Sequence, residues 1–582
     1  MMDRLKREAE TGSLNALCRL SLKVNRDSTV FPSIIAAIRH HLLSVNLPTT
    51  FIDPGSDSEH LRILKRVHES LSALMMTFAH HVLDNPRNVA LVANLWPDLS
   101  RWIIPFLQTY IVEVPNDPSI VRHEYVEIMI DSHLRLLKGL FQTPQISSAM
   151  KSPGLISCLM KVWVSLMASG TEFSRQEATM LVIMGLLYQT GSLHDDEAFN
   201  AVTTALYTTS PDKVTASLMG LINLVQQPAA STEHVMISLA FLEHTTNNSL
   251  TFRRNHLAHH SIHWVCRLME RITSRKPDFV SSFEEDKVHV PMVGMLRSCA
   301  GYLATCFEEG SLRVVQALER HLLDLLLKCI PFFSTEDPSA PSLLFSTIVQ
   351  ILDLVNSYLI YRGVLREVRR SMQRIQRSGL EGNIHMGPET IRDAWSALKK
   401  TADKRWAIRC VMVNEEVDKC ENRNCPPDGI NHSKRAVKCC QGCQASFYCS
   451  RECQKQAWVS HRPLCQKIKC MKHDGSPTMI SARDTLFLIT VAENDIYEHL
   501  EVVKDLREKN EHQLKHPLVI SLDYVSIPMA ITMKSAAEYR DRESAWDRAI
   551  QKVETQGGQL VFLRYPHAVK PREGLLRFQI DV

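Results

Sequence analysis

Cysteine and histidine crowd one short stretch of this chain. The segment CCQGCQASFYCSRECQKQAWVSHRPLC, residues 439–465, holds six of the sixteen cysteines and one histidine. Extending it back to the nearest cysteines gives nine soft donors: Cys420, Cys425, Cys439, Cys440, Cys443, Cys449, Cys453, His461 and Cys465. Zn²⁺ takes such thiolate and imidazole ligands four at a time, in a tetrahedron. Two residues separate Cys440 from Cys443, a gap that lets a tight turn aim two thiolates at one ion. Three residues separate Cys449 from Cys453 and His461 from Cys465, which puts each pair on one face of a helical turn. With Cys420 and Cys425, four pairs make eight ligands, enough for two Zn²⁺ ions. Neither site then keeps a position for a catalytic water, and closed four-coordinate sites are structural. The metal would replace a hydrophobic core that some fifty residues can barely build alone.

The remainder of the composition favours metal over disulfides. The opening MMDRLKREAETGSLNALCRL carries mixed charge and no apolar core, unlike a secretory signal. No apolar run approaches the ~20 residues that span a bilayer; MLVIMGLLY, residues 180–188, is the nearest and is too short. The expectation is a soluble intracellular protein, nuclear or cytoplasmic, whose thiols stay reduced. Basic and acidic side chains number 67 and 63, a net +4 too weak to argue for nucleic acid or an anionic membrane. The six cysteines outside the cluster region (Cys18, Cys158, Cys266, Cys299, Cys306, Cys329) sit in apolar helical patterns and read as small hydrophobes. Cys410 and Cys470 flank the cluster and are not counted as ligands.

The run from Cys440 onward resembles a MYND-type zinc finger, whose pattern is C-x2-C, then Y-C-S-x-x-C-Q, then W, then H-x3-C. The eight ligands, Tyr448 before Cys449, Gln454 and Trp458 all coincide with it. The resemblance implies interleaving: Cys420, Cys425, Cys449 and Cys453 on one zinc, Cys440, Cys443, His461 and Cys465 on the other. It departs from the pattern in CENRNC, where four residues rather than two part the first pair, and in the long link PPDGINHSKRAVKC. Extra length at a turn costs little. Cys439 is an alternative ligand to Cys440, and His432 a stray one.

The resemblance also implies a protein-interaction module. In relatives a shallow groove takes proline-rich peptides, and Gln454 and Trp458 match positions associated with it. Trp458 packing only the finger's small core is the competing reading. From Cys420 to Lys472, ten Lys/Arg face three Asp/Glu; with the thiolate excess of two zinc sites subtracted, the finger stands near +4. Part of the basic surface therefore offsets thiolate charge and need not imply DNA. A SET-type methyltransferase, another setting for such fingers, is disfavoured. INHSK, residues 430–434, echoes a cofactor segment of that class but lies inside the finger, and the other expected segments are missing.

The elements around the finger are mainly helical. EHLRILKRVHESLSALMMTFAHHVL places Leu61, Leu64, Val67, Leu71, Leu74 and Met75 on one stripe of a 3.6-residue period. SLRVVQALERHLLDLLLKCIPFF and SLLFSTIVQILDLVNSYLIYRGVLREV behave alike, and several links carry breaker residues such as those of DNPRN. The fold class expected is thus mainly α. A multi-helix domain covers residues 1–400, either a HEAT- or armadillo-like stack or an irregular bundle, since no fixed repeat period emerges. The finger covers 415–470, and a small α/β domain covers 480–582, with strands at HPLVISLDYV, QLVFLRYP and LLRFQIDV. The six arginines of YRGVLREVRRSMQRIQRSG, residues 361–379, make either a solvated face or a surface for an acidic partner. No Gly-rich phosphate loop or nucleophile–base signature is present. The function expected is a non-catalytic zinc-binding adaptor with protein partners, with a nucleic-acid-associated regulator as runner-up and an enzyme without a readable motif behind it.

Overall fold

The computed structural model describes residues 2–24, 28–45, 59–78, 82–113, 124–141, 143–150, 153–168, 179, 212, 214–216, 218–219, 232–274, 285–333, 340–414, 420–422, 424–425, 438–443, 446–473, 480–510, 516–540, 542–567 and 571–578. His432 lies outside them, as do most of the link after Cys425 and the segment at 180–188. The chain forms two compact units, Met1–Gly220 and Leu221–Val582. Both are dominated by helices, and the strands described all belong to the second. Among the described residues no helix is long and apolar enough to cross a membrane.

In the first unit, Glu59–Phe78 forms one helix and buries Leu61, Leu64, Val67, Leu71 and Leu74, with Met75 half-buried. The stripe read from spacing is therefore the face turned to the core. The breaker in DNPRN proves to be a start signal. Asn85 caps the Pro86–Leu107 helix by accepting from the Arg87 N–H (3.0 Å), and Pro86 occupies the first turn, where a missing N–H costs nothing. Pro97 and Pro105 lie inside that helix, and it passes after Leu107 into a single π-helical stretch, Gln108–Glu113.

In the second unit two long apolar runs are broken where periodicity predicts continuity. Ser311–Glu319 and Leu322–Cys329 are separate helices, because His321 takes a left-handed conformation (φ 63°) between them. Ala340–Ser357 gives way to a 3₁₀ turn, Tyr358–Ile360, before the arginine helix Arg362–Ser378. The arginine helix buries Val364, Val368 and Ile375, and four of its six arginines meet carboxylates. Arg366 and Arg370 each lie 2.9 Å from the buried carboxylate of Glu367, Arg374 lies 3.2 Å from Asp324, and Arg369 lies 2.5 Å from Asp403. A 26-residue helix, Glu389–Asn414, leads toward the finger.

The C-terminal part holds a mixed sheet in the order β4-β3-β5-β6, from strands Leu518–Asp523 (β3), Ala530–Ser535 (β4), Gln559–Tyr565 (β5) and Arg572–Phe578 (β6). Strand β3 runs antiparallel to β4 and parallel to β5, and β5 runs antiparallel to β6. The parallel pair needs a long connection, which β4 and the Ser544–Gln556 helix supply. Trp546, Ile550 and Val553 of that helix pack on Val519, Leu560, Phe562 and Leu575 of the sheet. Three of these four strands overlap the runs expected at 516–525, 559–566 and 575–582; β4, an edge strand that buries only Met533, was not expected.

The segment after β5 and the helix after the finger are both tied to the helices before the finger. The Tyr361 hydroxyl donates to the Pro566 carbonyl (2.7 Å), and the Arg362 N–H to Asp484 Oδ1 of the Ala482–Glu498 helix (3.0 Å). Gly310, with φ +107°, passes so close that a Cβ there would stand 2.5 Å from the His567 carbonyl oxygen. Gly310→Ala therefore combines backbone strain with a backbone clash. We expect a loss of ~2 kcal/mol or more, read as a lowered midpoint in urea unfolding monitored by circular dichroism; an unchanged midpoint would refute this junction.

Candidate metal centre

A short hairpin starts the site. Strands Lys438–Cys439 (β1) and Phe447–Tyr448 (β2) pair antiparallel, and the Cys440 N–H closes the turn on the Ser446 carbonyl (2.8 Å). This turn carries Cys440 and Cys443. The first knuckle joins the outer side of the same hairpin through Glu421, whose N–H donates to the Phe447 carbonyl (2.9 Å) and whose carboxylate accepts from the Phe447 N–H (3.2 Å). Ser450 then caps the Arg451–Gln456 helix by accepting from the Cys453 N–H (3.1 Å), which fixes Cys453 one turn beyond Cys449. The Trp458–His473 helix follows at once and presents His461 and Cys465 on one face.

These elements bring the eight donors into two groups: Cys420, Cys425, Cys449 and Cys453, and Cys440, Cys443, His461 and Cys465. Within each group the ligand atoms all lie within 4.8 Å of one another. In the first, Sγ–Sγ distances are 3.6 Å for Cys425–Cys449, 3.5 Å for Cys449–Cys453 and 3.8 Å for Cys425–Cys453. In the second, Cys440 and Cys465 sulfurs stand 3.8 Å apart, and Cys443 Sγ lies 3.6 Å from His461 Nε2. Thiolates about 2.3 Å from a tetrahedral Zn²⁺ stand about 3.8 Å apart, and a thiolate and an imidazole nitrogen about 3.6 Å. A disulfide would require about 2.05 Å. The spacing is that of ligands around an ion, and the grouping is the interleaved one that the resemblance implies. Of Cys439 the structure describes the backbone in β1, while the second group is complete with Cys440.

The donor chemistry fits Zn²⁺ as well. Burial and the neighbouring sulfurs push the Cys425 thiol up to about 12, while a hydrogen bond from the Asn422 side chain draws Cys453 down to about 7. In the second group burial opposes ionisation of Cys440, but the backbone N–H groups of Cys443 and Gly442, with His461, bring it to about 6. Sulfurs so close cannot all ionise against one another; a divalent cation at their centre removes the conflict and makes every thiolate available. Two Zn²⁺ ions, one per group, complete both tetrahedra with protein donors.

Three further residues support the ligands. Asn422 is buried; its side-chain oxygen accepts from the Asn424 N–H (3.2 Å), and its amide donates to Gln456 Oε1 (2.8 Å). It thus closes the wide four-residue knuckle and braces it on the helix that bears Cys453. Gly442 leaves room for sulfur: a Cβ there would lie 3.0 Å from Cys465 Sγ. Arg483, from the helix after the finger, lays its guanidinium 3.7 Å from the centre of the Phe447 ring. An asparagine two residues after a zinc cysteine is a readable Asx-turn signal; the other two depend on contacts across the fold.

Little else holds the finger together. Among the described residues its buried cluster contains, besides cysteines, Tyr448, Ala457 and Ile468. Trp458 stands with its ring centre 5.7 Å from that of His461 and keeps 39% of its surface exposed, so it both shields the second centre and faces solvent. Gln454 is half-buried on the preceding helix.

Purified protein is expected to carry two zinc ions per chain by elemental analysis. Cys425→Ala and Cys443→Ala should each remove one and, by circular dichroism and proteolysis, loosen the finger. Asn422→Ala should keep both ions but weaken the first by roughly tenfold in chelator competition, the lower end of effects seen for residues that orient ligands. Far fewer than two ions in the wild type would overturn the assignment.

Residues 419–465 match the family model of the MYND finger. The chain is a larger, mainly helical protein that carries a MYND zinc finger with two four-ligand zinc centres.

Proposed function

We propose that this is a non-catalytic adaptor whose finger docks a segment of a partner protein while the helical units act as scaffold. MYND fingers generally serve protein interaction, and the observation that carries the reading is the pairing of closed metal sites with a half-exposed tryptophan beside one of them. Each zinc centre has four protein donors, which leaves no ligand position for a substrate or a water. Beside the second centre Trp458 opens to solvent, and Val459 (87% exposed) and Leu464 are exposed on other faces of the same helix. Flat indole faces suit proline rings, and a proline-rich segment in polyproline II form costs little entropy to dock. Gln454, one turn before Trp458, offers a side-chain amide to the extended backbone of such a peptide.

The runner-up, a nucleic-acid surface on the arginine helix, is weakened by the four arginines that already meet carboxylates. Phosphate would have to compete with those partners for the same guanidinium groups.

Trp458→Ala, with two zinc ions retained, is expected to weaken binding of a labelled proline-rich peptide by tenfold or more, a typical cost for truncating an aromatic anchor. Gln454→Ala should cost less. Fluorescence anisotropy measures both. Undiminished peptide affinity in the Trp458 variant would remove this edge of the finger as the docking surface.

A further inference from the structure

A cleft of about 370 Å³ lies within the second unit, away from the zinc ligands. Its walls are the Ser357 end of one helix, the middle of the Glu389–Asn414 helix, the end of Ala482–Glu498 and the β3–β4 turn. The volume falls in the range of small-molecule sites. Three cations line it from a single stretch of helix: Lys400, Lys404 and Arg405. Two carboxylates face them, Asp495 and Glu498.

The carboxylates are already committed. Lys404 lies 2.5 Å from Asp495 Oδ1 and also meets Glu498, and the Tyr524 hydroxyl donates to Asp495 Oδ2 (2.9 Å). Arg405, only 7% exposed, has no carboxylate within 4.0 Å among the described residues. It donates to the Asn356 carbonyl at a long 3.4 Å and stands 5.5 Å from the centre of the Tyr524 ring. Burial pulls its pKa below the ordinary guanidinium value, against the field of Tyr524 and Asp495. A guanidinium that has lost its water without gaining an anion is costly. Asn356, another wall residue, has a buried side-chain oxygen that meets no partner. Lys400 is exposed. Opposite these groups Ile527, Pro528 and Met529 supply an apolar side.

We propose that this cleft binds a small molecule with an anionic head group, a phosphate or a carboxylate, held by Arg405 and Lys400, and an apolar body resting on the β3–β4 turn. The count of charges, three cations to two carboxylates, leaves one positive charge for the ligand to neutralise. The site is independent of the docking surface on the finger.

The test uses the full zinc-loaded chain, titrated with inorganic phosphate and, separately, with succinate, at ionic strength matched by sodium chloride. Thermal shift and calorimetry are the readouts. A saturable stabilisation by either anion is expected, phosphate alone pointing to a phosphorylated ligand and succinate alone to a carboxylate. Lys400→Gln, on an exposed side chain, should weaken that binding about tenfold, the equivalent of ~1.4 kcal/mol, while zinc content stays at the wild-type value. Arg405→Met should abolish it; if that variant does not fold, Lys400→Gln decides alone. No saturable effect of either anion, or equal binding by wild type and Lys400→Gln, would overturn the proposal.

Discussion

The finger depends on tetrahedral closure of thiolate and imidazole around two ions. Among the described residues its apolar core is three side chains, Tyr448, Ala457 and Ile468, packed among sulfurs. That is too little to offset the entropy of ordering several tens of residues. A structural zinc contributes on the order of 10 kcal/mol of apparent binding free energy to a fold of this kind. The hairpin, the Ser450 cap and the Asn422 turn set the directions of the donors; the ions supply the energy that keeps them there.

The requirement for closure also limits what the finger can do. A zinc centre that activates water keeps one position open, and here every position is taken by protein. Under the proposed reading the finger acts through its surface. Its attachment serves that end: the Glu421 hydrogen bonds hold the first knuckle to β2, and Arg483 covers Phe447 of the same strand. Whatever meets Trp458 therefore meets a finger held firmly against the helix that follows.

Local features were legible in the sequence, and long-range ones were not. The ligand pairs could be read because zinc geometry demands fixed short spacings, and the Glu59–Phe78 helix because a single apolar stripe runs its length. The breaks at His321 and at Tyr358–Ile360 escaped because periodicity does not register a single left-handed residue or a 3₁₀ turn. Strand β4 escaped because its alternation, Ile531–Thr532–Met533–Lys534, spans only four residues on a sheet edge. The arginine helix looked like a free basic face, yet its partners Asp324 and Asp403 lie tens of residues away in the chain. The cleft around Arg405 is the extreme case. Asn356, Arg405, Asp495 and Tyr524 come from four separate elements, and nothing in their spacing announces that they meet.

The interleaved order of ligands has a topological result. Three peptide segments, 426–439, 444–448 and 454–460, each run from one centre to the other, where two zinc sites in tandem would share a single tether. With both ions bound, a protease that nicks any one of these segments leaves two covalent routes intact, so the halves stay joined. The finger therefore has redundancy against backbone damage, and the long link after Cys425 could be lengthened in evolution without putting the assembly at risk.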